Sequence, residues 1–521
     1  MTDVRRLMLA AAMVFAAVIG LYLPTLRGGF VYDSIAQVLY SDYIHTPSHW
    51  ADVLTLRVVG QDELDRNRPL LLASLMLDAA IWNRDPFGYR LTSVLLHALN
   101  AALLFAFIVM VSRRGTAFAE DGHPAPASSM RTVFFAAACG ALAFALHPLV
   151  VEAVAEPSNR EDLLVLLAIL AGLLFVAKQT RPQWVPNVFL VLTSFFAVLA
   201  KESGVAAPFV FALACWLHGS LRRCLPGLIG GIVAVAGFLA ASYAWRPVQS
   251  GVFINGPAPL AGGWLSFLAA QARIWTLQLR QVVWPSDLSA QYTPDVLVGI
   301  SPTLAVAVLV MVAAAAAFLS WKSRLAALGV GIYLLALLPA SNFVAQFHPM
   351  ADRYLYVPLA GVGMIASASY AWLRSKCSSA FAVGALVVAG SVVLLLEYTV
   401  NLQRQKIWQT PAALWTDVLR QYPHLAQAHF GMANAYYRAG EFEAALASAQ
   451  EAVRTSSGRW AEPYAMRAAC EWRTGRRKEA LASFAVAAKL SRAYVDEASM
   501  RAALFLSPEQ LAAFREILAA Q

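Results

Sequence analysis

The sequence predicts an all-α fold in two parts, a polytopic helical membrane domain over residues 1–400 and an α-solenoid of short repeats over residues 401–521. The membrane domain is predicted because 59% of the 521 residues are hydrophobic, only 14% are charged, and the apolar residues form bilayer-length runs. The solenoid is predicted because these runs stop after Asn401, where short amphipathic segments begin. A mean hydropathy of +0.58 excludes a soluble globular protein of average composition.

The first apolar run, residues 7–26, follows Arg5 and Arg6 and is about as long as a hydrocarbon core requires. The apolar region of a signal peptide is shorter, about 7–15 residues, and ends at a small-residue cleavage site. We therefore interpret this run as a retained membrane helix. The 5 cysteines include no CxxC pair, so they predict neither a disulfide framework nor a metal site.

The basic residues separate the apolar runs, which argues against a nucleic-acid partner although the net charge is +9. Short loops rich in arginine and lysine mark the cytoplasmic side of a membrane. Such loops occur at Arg5 and Arg6, Arg113 and Arg114 with Arg131, Lys178 with Arg181, Arg222 and Arg223, Lys322 with Arg324, and Arg374 with Lys376. They separate about eleven predicted spans, over residues 7–26, 88–112, 132–150, 161–177, 185–200, 203–219, 225–245, 301–320, 325–340, 354–372 and 378–398. We therefore expect the N-terminus to lie in the cytoplasm and the segment after the last span to lie outside the cytoplasm.

A further segment, residues 262–284, is long enough to cross but carries Gln271, Arg273, Gln278, Arg280 and Gln281. If it crossed, the last two basic loops would lie outside, against the positive-inside bias. We therefore expect a re-entrant or interfacial helix, buried against protein that satisfies its polar groups. A true span with inverted downstream topology is the alternative.

Ionisable residues gather where the predicted external loops meet helices. Asp33 lies at the outer end of the first helix and begins an external loop over about residues 27–87. A charge at one helix end is explained by capping or snorkelling. The cytoplasmic loops are plainly basic, however, whereas this face mixes acids, bases and histidines, as a site for charged chemistry would. The other members are Arg66, Arg68, His147, Glu152, Glu156, Arg160, Glu161, Asp162, Lys201, Glu202, His348, Asp352 and Arg353.

The C-terminal part contains two similar units, in which Gly440 and Gly475 lie 35 residues apart. This period, with small residues at helix crossings, is that of tetratricopeptide repeats (TPRs). Helices over residues 411–421 and 508–520 are expected to cap the array. The matched positions are Tyr436, Gly440, Ala445 and Ala452 in the first unit and Gly475, Ala480, Phe484 and Ala487 in the second. By the predicted topology, the repeats lie outside the cytoplasm.

Six stretches occur in an order that resembles the transmembrane-and-TPR O-mannosyltransferases and their bacterial relatives in the GT-C glycosyltransferase superfamily. They are FVYDS, NRPL, LLHALNA, HPLVVEAVAEPSNRED, LAKESGV and DRYLYVPLAGVG, followed by the repeats. The resemblance implies a GT-C-like membrane domain that takes a sugar, such as mannose, from a polyprenyl-phosphate donor. It also implies a bacterial inner-membrane enzyme whose active site and TPR domain are periplasmic.

The resemblance also assigns roles to residues. It implies that Asp33 is the base or orients the acceptor, and that Glu152 and Glu202 assist the acceptor or orient cations. Relatives often have a second acid after the first, where this chain has Ser34, so a divalent metal stays an open alternative without support from the sequence. The cations that would bind the donor phosphate are Arg68, Arg160, Lys201 and Arg353. His147, Asp352 and Tyr354 complete the predicted donor site, with a helix cap as the alternative role of His147. An ion pair between Arg353 and Asp352 at a helix end is an equal alternative, and His97 and Asn100 are expected to bond between helices.

Three classes of function remain open at this point. The first is a glycosyltransferase that acts on Ser or Thr hydroxyls of periplasmic or secreted protein, recruited by the repeats. The second is a GT-C enzyme that modifies a lipid or an envelope glycan. The third is a non-catalytic assembly protein, which has no need of mixed acids and bases at so many helix ends. Repeats that bind protein in a groove favour the first.

Overall fold

A computed structural model of the chain describes residues 2–115, 130–178, 184–245, 263–293, 297, 299–344, 346, 348–377, 379–503 and 506–520. The described residues contain helices, turns and loops but no strand, which confirms the all-α prediction. They divide into two compact units, each of which is described by itself. Unit 1 comprises Met1–Arg27, Ile44–Leu288 and Tyr292–Gln405, and unit 2 comprises Gly28–Tyr43, Ser289–Gln291 and Lys406–Gln521.

Unit 1 is built from helices, most of them long and apolar. In chain order they are α1 Thr2–Tyr22, α2 Trp50–Leu54, α3 Pro69–Trp82, α4 Pro86–Gly115, α5 Met130–Leu146, α6 Val151–Ala155, α7 Glu161–Lys178, α8 Trp184–Ala200, α9 Ala207–Leu217, α10 Leu221–Ala244, α11 Gly263–Val283, α12 Pro302–Lys322, α13 Arg324–Leu337, α14 Tyr356–Lys376 and α15 Ala380–Ile407. The core lies among α1, α4, α5, α7, α8, α9, α13 and α14.

Among the described residues, six helices are long and apolar enough to cross a membrane, and a seventh span results if one bent pair is counted. The bent pair is Met130–Leu146 with Pro148–Ala155, which meet at 52° where Pro148 cannot continue the helix. Four further apolar helices are shorter: Pro69–Trp82, Trp184–Ala200, Glu202–Leu217 and Arg324–Ala340. The chain is thus a multi-pass helical membrane protein. The eleven predicted spans stay a prediction, because helix length and composition identify six or seven candidate spans among the described residues.

Two segments of unit 1 bear on the predicted topology, one that the apolar pattern missed and one that it singled out. Helix α3 lies within the stretch expected to be a loop, and it buries Leu71, Leu72 and Leu75. The segment predicted to be re-entrant is the helix α11, which is outside the set of candidate spans. Its glutamines Gln278 and Gln281 are 1% and 0% exposed, so this polar face packs against protein as expected.

Close helix packing in unit 1 depends on paired glycines. A Cβ at Gly361 of α14 would lie 2.3 Å from the carbonyl oxygen of Gly329 in α13, and one at Gly140 of α5 would lie 2.4 Å from that of Gly363. Small residues let membrane helices approach to backbone contact. Helix α14, which begins just after Asp352 and Arg353, is thereby held against α5 and α13.

Unit 2 contains α16 Pro411–Gln421, α17 Ala426–Ala439, α18 Phe442–Thr455, α19 Ala461–Arg473, α20 Arg477–Leu490, α21 Glu497–Ala503 and α22 Pro508–Ala519. Gly440 joins α17 to α18 with φ +79°, and Gly475 joins α19 to α20 with φ +82°, a region that glycine enters without strain. Its core combines many alanines with larger side chains such as Trp472, Phe484 and Phe514. The flanking helices α16 and α22 confirm those predicted over 411–421 and 508–520.

Candidate functional site

A cluster of charged side chains in unit 1 lies where several helices begin or end. Arg68 precedes α3, Glu161 opens α7, Lys201 joins α8 to α9, and Arg353 lies just before α14. Acidic residues are favoured at helix N-termini, where unpaired backbone N–H groups carry partial positive charge. We call Arg68, Lys201 and Arg353, with the carboxylates that they contact, the charged cluster.

Arg68 connects three carboxylates from different parts of unit 1. Its Nη1 lies 3.0 Å from Asp65 and 3.4 Å from Glu161, and its Nε lies 3.2 Å from Glu202. Burial opposes the positive charge, but Glu202, Asp65 and Glu161 outweigh it and raise the pKa of Arg68 well above its usual value. The Arg68 side chain keeps 27% of its surface exposed and that of Glu202 46%, so this end of the cluster reaches solvent.

Lys201 is more deeply enclosed than Arg68. Its Nζ lies 2.6 Å from Asp162 and 3.5 Å from Glu161, and its side chain is 10% exposed. Burial disfavours the ammonium ion, yet Asp162 and Glu161 outweigh burial and raise the pKa of Lys201. The ring of Tyr354 lies 5.6 Å from the Lys201 ammonium and 5.4 Å from the Arg353 guanidinium. Tyr354 therefore adds a cation–π contact to both cations.

Glu152 and Arg353 form a buried pair. One Glu152 oxygen accepts from the Arg353 guanidinium, and the other accepts from the Arg353 backbone N–H at 3.0 Å. The Glu152 side chain is 0% exposed, so this carboxylate has the geometry of a group that orients Arg353. Burial, with Arg353 nearby, lowers the pKa of His348 to about 3, and His348 is therefore neutral near pH 7.

Asp352 contacts Arg404 and Tyr292, whereas Arg353 contacts Glu152. Asp352 lies 3.3 Å from the Arg404 guanidinium and accepts a hydrogen bond from the Tyr292 hydroxyl. Sequence reasoning missed Arg404 and Tyr292. Neither residue lies in a sequence motif, and only the fold brings them to Asp352.

Arg160 and His147 lie in other networks. Arg160 is completely buried, pairs with Asp78 of α3 at 2.6 Å, and donates to the carbonyl of Tyr89 at 2.7 Å. His147 caps the turn after α5: its Nδ1 accepts from the N–H of Leu149 at 3.3 Å. Its Nε2 lies 3.0 Å from the carbonyl of Val282, so that nitrogen carries the proton. The structure thus gives both residues contacts that join helices.

His97 and Asn100 bond between helices, as predicted. His97 Nδ1 lies 2.8 Å from the hydroxyl of Tyr356, and Asn100 Nδ2 donates to the carbonyl of Leu163 at 3.0 Å. Both side chains are completely buried. These hydrogen bonds join α4 to α7, which begins at Glu161, and to α14, which follows Arg353.

Asp33 lies in unit 2, with residues 28–43. Its carbonyl accepts from the N–H groups of Ala36 and Gln37 at 3.1 and 2.9 Å. The preceding Tyr32 has φ +49°, which is uncommon for a residue with a large side chain, and its ring lies 6.1 Å from Trp408 and 5.7 Å from Trp415. Aromatic packing thus holds an unfavourable backbone beside a half-buried carboxylate, a combination found at functional sites.

Ser34, which follows Asp33, has a local structural contact. Its hydroxyl donates to the carbonyl of Val31 at 2.7 Å. Among the described residues, no group of three or more His, Cys, Asp and Glu side chains has an arrangement that could hold a metal ion. All five cysteines are free thiols.

The chain is similar to several protein O-mannosyl-transferases. It is 21% identical to one of Caenorhabditis elegans over 79% of this chain and 57% of that protein. It is 24% identical to Tmtc3 of Drosophila melanogaster over 86% of this chain and 55% of that protein. It is 23% identical to TMTC1 of Homo sapiens over 82% of this chain and 52% of that protein. The chain spans about half the length of these curated relatives. No family model and no solved structure matches it.

Proposed function

We propose that the chain is a GT-C-type glycosyltransferase that moves a sugar from a polyprenyl-phosphate donor to hydroxyl groups of protein. The observation that carries the proposal is the similarity to protein O-mannosyl-transferases over most of the chain. Mannose is accordingly the first sugar to test. The acceptor oxygen attacks the anomeric carbon, the bond to the phosphate oxygen breaks, and polyprenyl phosphate leaves with the electron pair.

The three cations of the charged cluster are our candidates for binding the donor phosphate. Arg68, Lys201 and Arg353 are each held by carboxylates, so their positions are set before a ligand arrives. A guanidinium fork matches two phosphate oxygens, and charge that is already oriented needs no rearrangement during reaction. Arg68 is the most accessible of the three, with 27% of its side chain exposed, and we assign it the first contact with phosphate. His147 and Arg160, which have structural partners, are assigned to the surrounding frame.

Asp33 is our candidate for the group that accepts the acceptor's proton. A carboxylate in hydrogen-bond reach of the hydroxyl strengthens it as a nucleophile. Glu202 is the second candidate, because 46% of its side chain is exposed whereas Glu152 is enclosed by its bonds to Arg353. A divalent metal has no assigned role in this proposal.

The repeats complete the proposal. The helical hairpins α17–α18 and α19–α20 stand where the sequence predicted TPRs, and such arrays bind protein segments. We propose that they hold the acceptor protein, and that the repeats and the site lie on the periplasmic side of a bacterial inner membrane.

The deciding experiment incubates the purified chain with polyprenyl-phosphate-linked sugars and candidate periplasmic proteins, and follows the intact mass of each protein. The expected result is a gain of one hexose that requires the lipid-linked donor. If the donor were consumed and the sugar appeared on a lipid or a glycan while no protein gained mass, a protein acceptor would be contradicted. A chain that leaves every donor intact would contradict the enzyme itself.

A further inference from the structure

The inner face of α11 carries polar groups that the charged cluster does not use. Gln271, Gln278 and Gln281 lie on one side of this helix and are 2%, 1% and 0% exposed. Gln281 Nε2 donates to the Tyr292 hydroxyl at 2.9 Å, and that hydroxyl donates to Asp352. A chain of hydrogen bonds therefore runs from α11 to the residue that precedes Arg353.

The orientation of the Gln281 amide follows from this chain. The single proton of the Tyr292 hydroxyl is given to the Asp352 carboxylate, so the hydroxyl oxygen faces the NH₂ group of Gln281. The Gln281 carbonyl oxygen points elsewhere and accepts no hydrogen bond from the described part of the chain. The carbonyl oxygen of Gln278, one turn earlier, is buried and has no donor within the described residues either.

Two buried acceptors without donors are costly. Each unsatisfied group loses about 1–3 kcal/mol relative to a hydrogen-bonded one, and such groups in native structures call for an explanation. Residues three apart on a helix are neighbours on one face, with Cβ atoms roughly 5–6 Å apart. A single small molecule with several hydrogen-bond donors would therefore satisfy both oxygens once it displaces the groups that now cover them.

The surroundings indicate the chemistry of that molecule. The nearby charges have opposite charges beside them, since Asp352 faces Arg404 and Glu152 faces Arg353, so the site offers acceptors without a strong net charge. Hydroxyl groups are uncharged donors, and a sugar ring carries several at fixed spacing. An extended peptide would also bring carbonyl groups that need donors. Because both glutamines are shielded from solvent, the ligand becomes enclosed, which suits one monosaccharide.

We propose that Gln278 and Gln281, with Tyr292 and Asp352, bind the sugar of the lipid-linked donor through its hydroxyl groups. This inference rests on the proposed function, and it places the sugar next to Arg353, a cation assigned to the phosphate. A sugar attached directly to phosphate requires that proximity. The site thereby assigns α11 to donor selection, a role that its sequence did not indicate.

The test compares two lipids of the same chain length, polyprenyl phosphate bearing one hexose and sugar-free polyprenyl phosphate. Their binding is measured with the full chain in lipid nanodiscs. Gln278→Leu and Gln281→Leu should each weaken binding of the hexose-bearing lipid about tenfold and leave the sugar-free lipid unchanged. Arg280→Gln is the matched control on the same helix, because the Arg280 side chain is 48% exposed, and it should change neither.

Thermal unfolding without ligand separates the proposal from a structural role. Gln278→Leu removes an acceptor without a donor, so its melting temperature should be unchanged or higher. A lower melting temperature with unchanged binding would show that buried water satisfies the amide, and would overturn the proposal. If a variant weakened the binding of both lipids equally, or changed the binding of neither lipid, the proposal would also be overturned.

Sugar transfer by the wild-type chain is followed in parallel. Transfer by the wild type, combined with glutamine variants that keep their preference for the hexose-bearing lipid, would overturn this inference and leave the proposed function standing. If the wild type transfers no sugar but the variants lose that preference, the binding site is supported and the proposed function fails.

Discussion

At the scale of single residues, the candidate carboxylates differ in how much of each side chain solvent can reach. Glu152 uses both oxygens on Arg353, and Glu161 contacts Arg68 and Lys201. Glu202 is partly exposed, and Asp33 is half-buried beside a strained tyrosine. A proton acceptor must be reachable by the attacking hydroxyl. Accessibility therefore separates the candidates for chemistry from those that organise the site.

We expect Asp33→Asn to abolish sugar transfer while binding of the lipid-linked donor is retained. Asparagine keeps the shape of the side chain but cannot accept the proton. Transfer is measured by intact mass and donor binding in nanodiscs. Glu202→Gln is the matched variant and should keep most of the turnover. Substantial turnover in Asp33→Asn, with its loss in Glu202→Gln, would assign the base to Glu202.

The pair of Asp78 and Arg160 should contribute to stability rather than to chemistry. Both side chains are enclosed, with 3% and 0% exposed, and removing one partner of a buried pair typically costs about 3–5 kcal/mol. We expect Asp78→Asn to lower the thermal unfolding temperature strongly. Asp287→Asn breaks the exposed pair with Arg280 and should change stability by less than about 1 kcal/mol. Equal effects of the two variants would contradict this assignment.

At the scale of elements, the ends of helices position the site, and backbone contacts position the helices. The turn at His147 and Pro148 separates α5 from α6 and brings Glu152 to Arg353. The glycine pairs place α14 directly against α5 and α13. Such contacts leave no room for a side chain, so the position of Arg353 depends on residues far from the charges.

We expect Gly361→Ala to destabilise unit 1 by about 1–3 kcal/mol, because the new methyl group would lie 2.3 Å from the backbone oxygen of Gly329. Thermal unfolding in detergent measures the effect. The control is Gly384→Ala in α15, whose added Cβ would have no atom within 4 Å. Equal unfolding temperatures of the two variants would show that the stability of unit 1 does not depend on the close approach of α13 and α14.

At the scale of the whole molecule, unit 2 is assembled from distant parts of the chain. Residues 28–43 pack with the C-terminal helices: the N–H of Gly29 donates to the carbonyl of Gln409 at 2.9 Å, and Arg438 lies 5.6 Å from the ring of Tyr40. The rings around Tyr32 also come from this part of the chain. The C-terminal region therefore supports the Asp33 segment as well as containing the hairpins α17–α18 and α19–α20.

Two truncations should distinguish these contributions. A chain that ends after Leu402 loses Trp408 and Trp415, so we expect no transfer even to short peptides, because the Asp33 segment loses its packing. A chain that ends after Gln421 keeps both rings and lacks the hairpins. It should lose transfer to folded protein but regain part of the rate with concentrated peptide, since recruitment raises effective concentration. Unchanged transfer to protein would contradict recruitment by the repeats.

The predicted topology can be tested with thiols. Arg459→Cys places an exposed thiol in the repeats, and it should react with an impermeant reagent once the outer membrane is permeabilised. The native control is the half-buried Cys377 beside a basic loop, which should react only after the inner membrane is opened. Cys224 is a poorer control because it is buried on either side. Reversed labelling would mean that residues 262–284 cross the membrane.

The sequence by itself determined the properties that depend on local pattern. Hydrophobic run length identified a helical membrane protein, small-residue periodicity located α17–α20, and the polar positions His97 and Asn100 indicated bonds between helices. The tertiary structure decided which charges meet. Glu152 with Arg353, Asp78 with Arg160, and Tyr292 with Asp352 are pairs between residues distant in the chain. Run length and periodicity carry no information on such pairs, because the desolvation that makes a partner necessary arises only when helices pack.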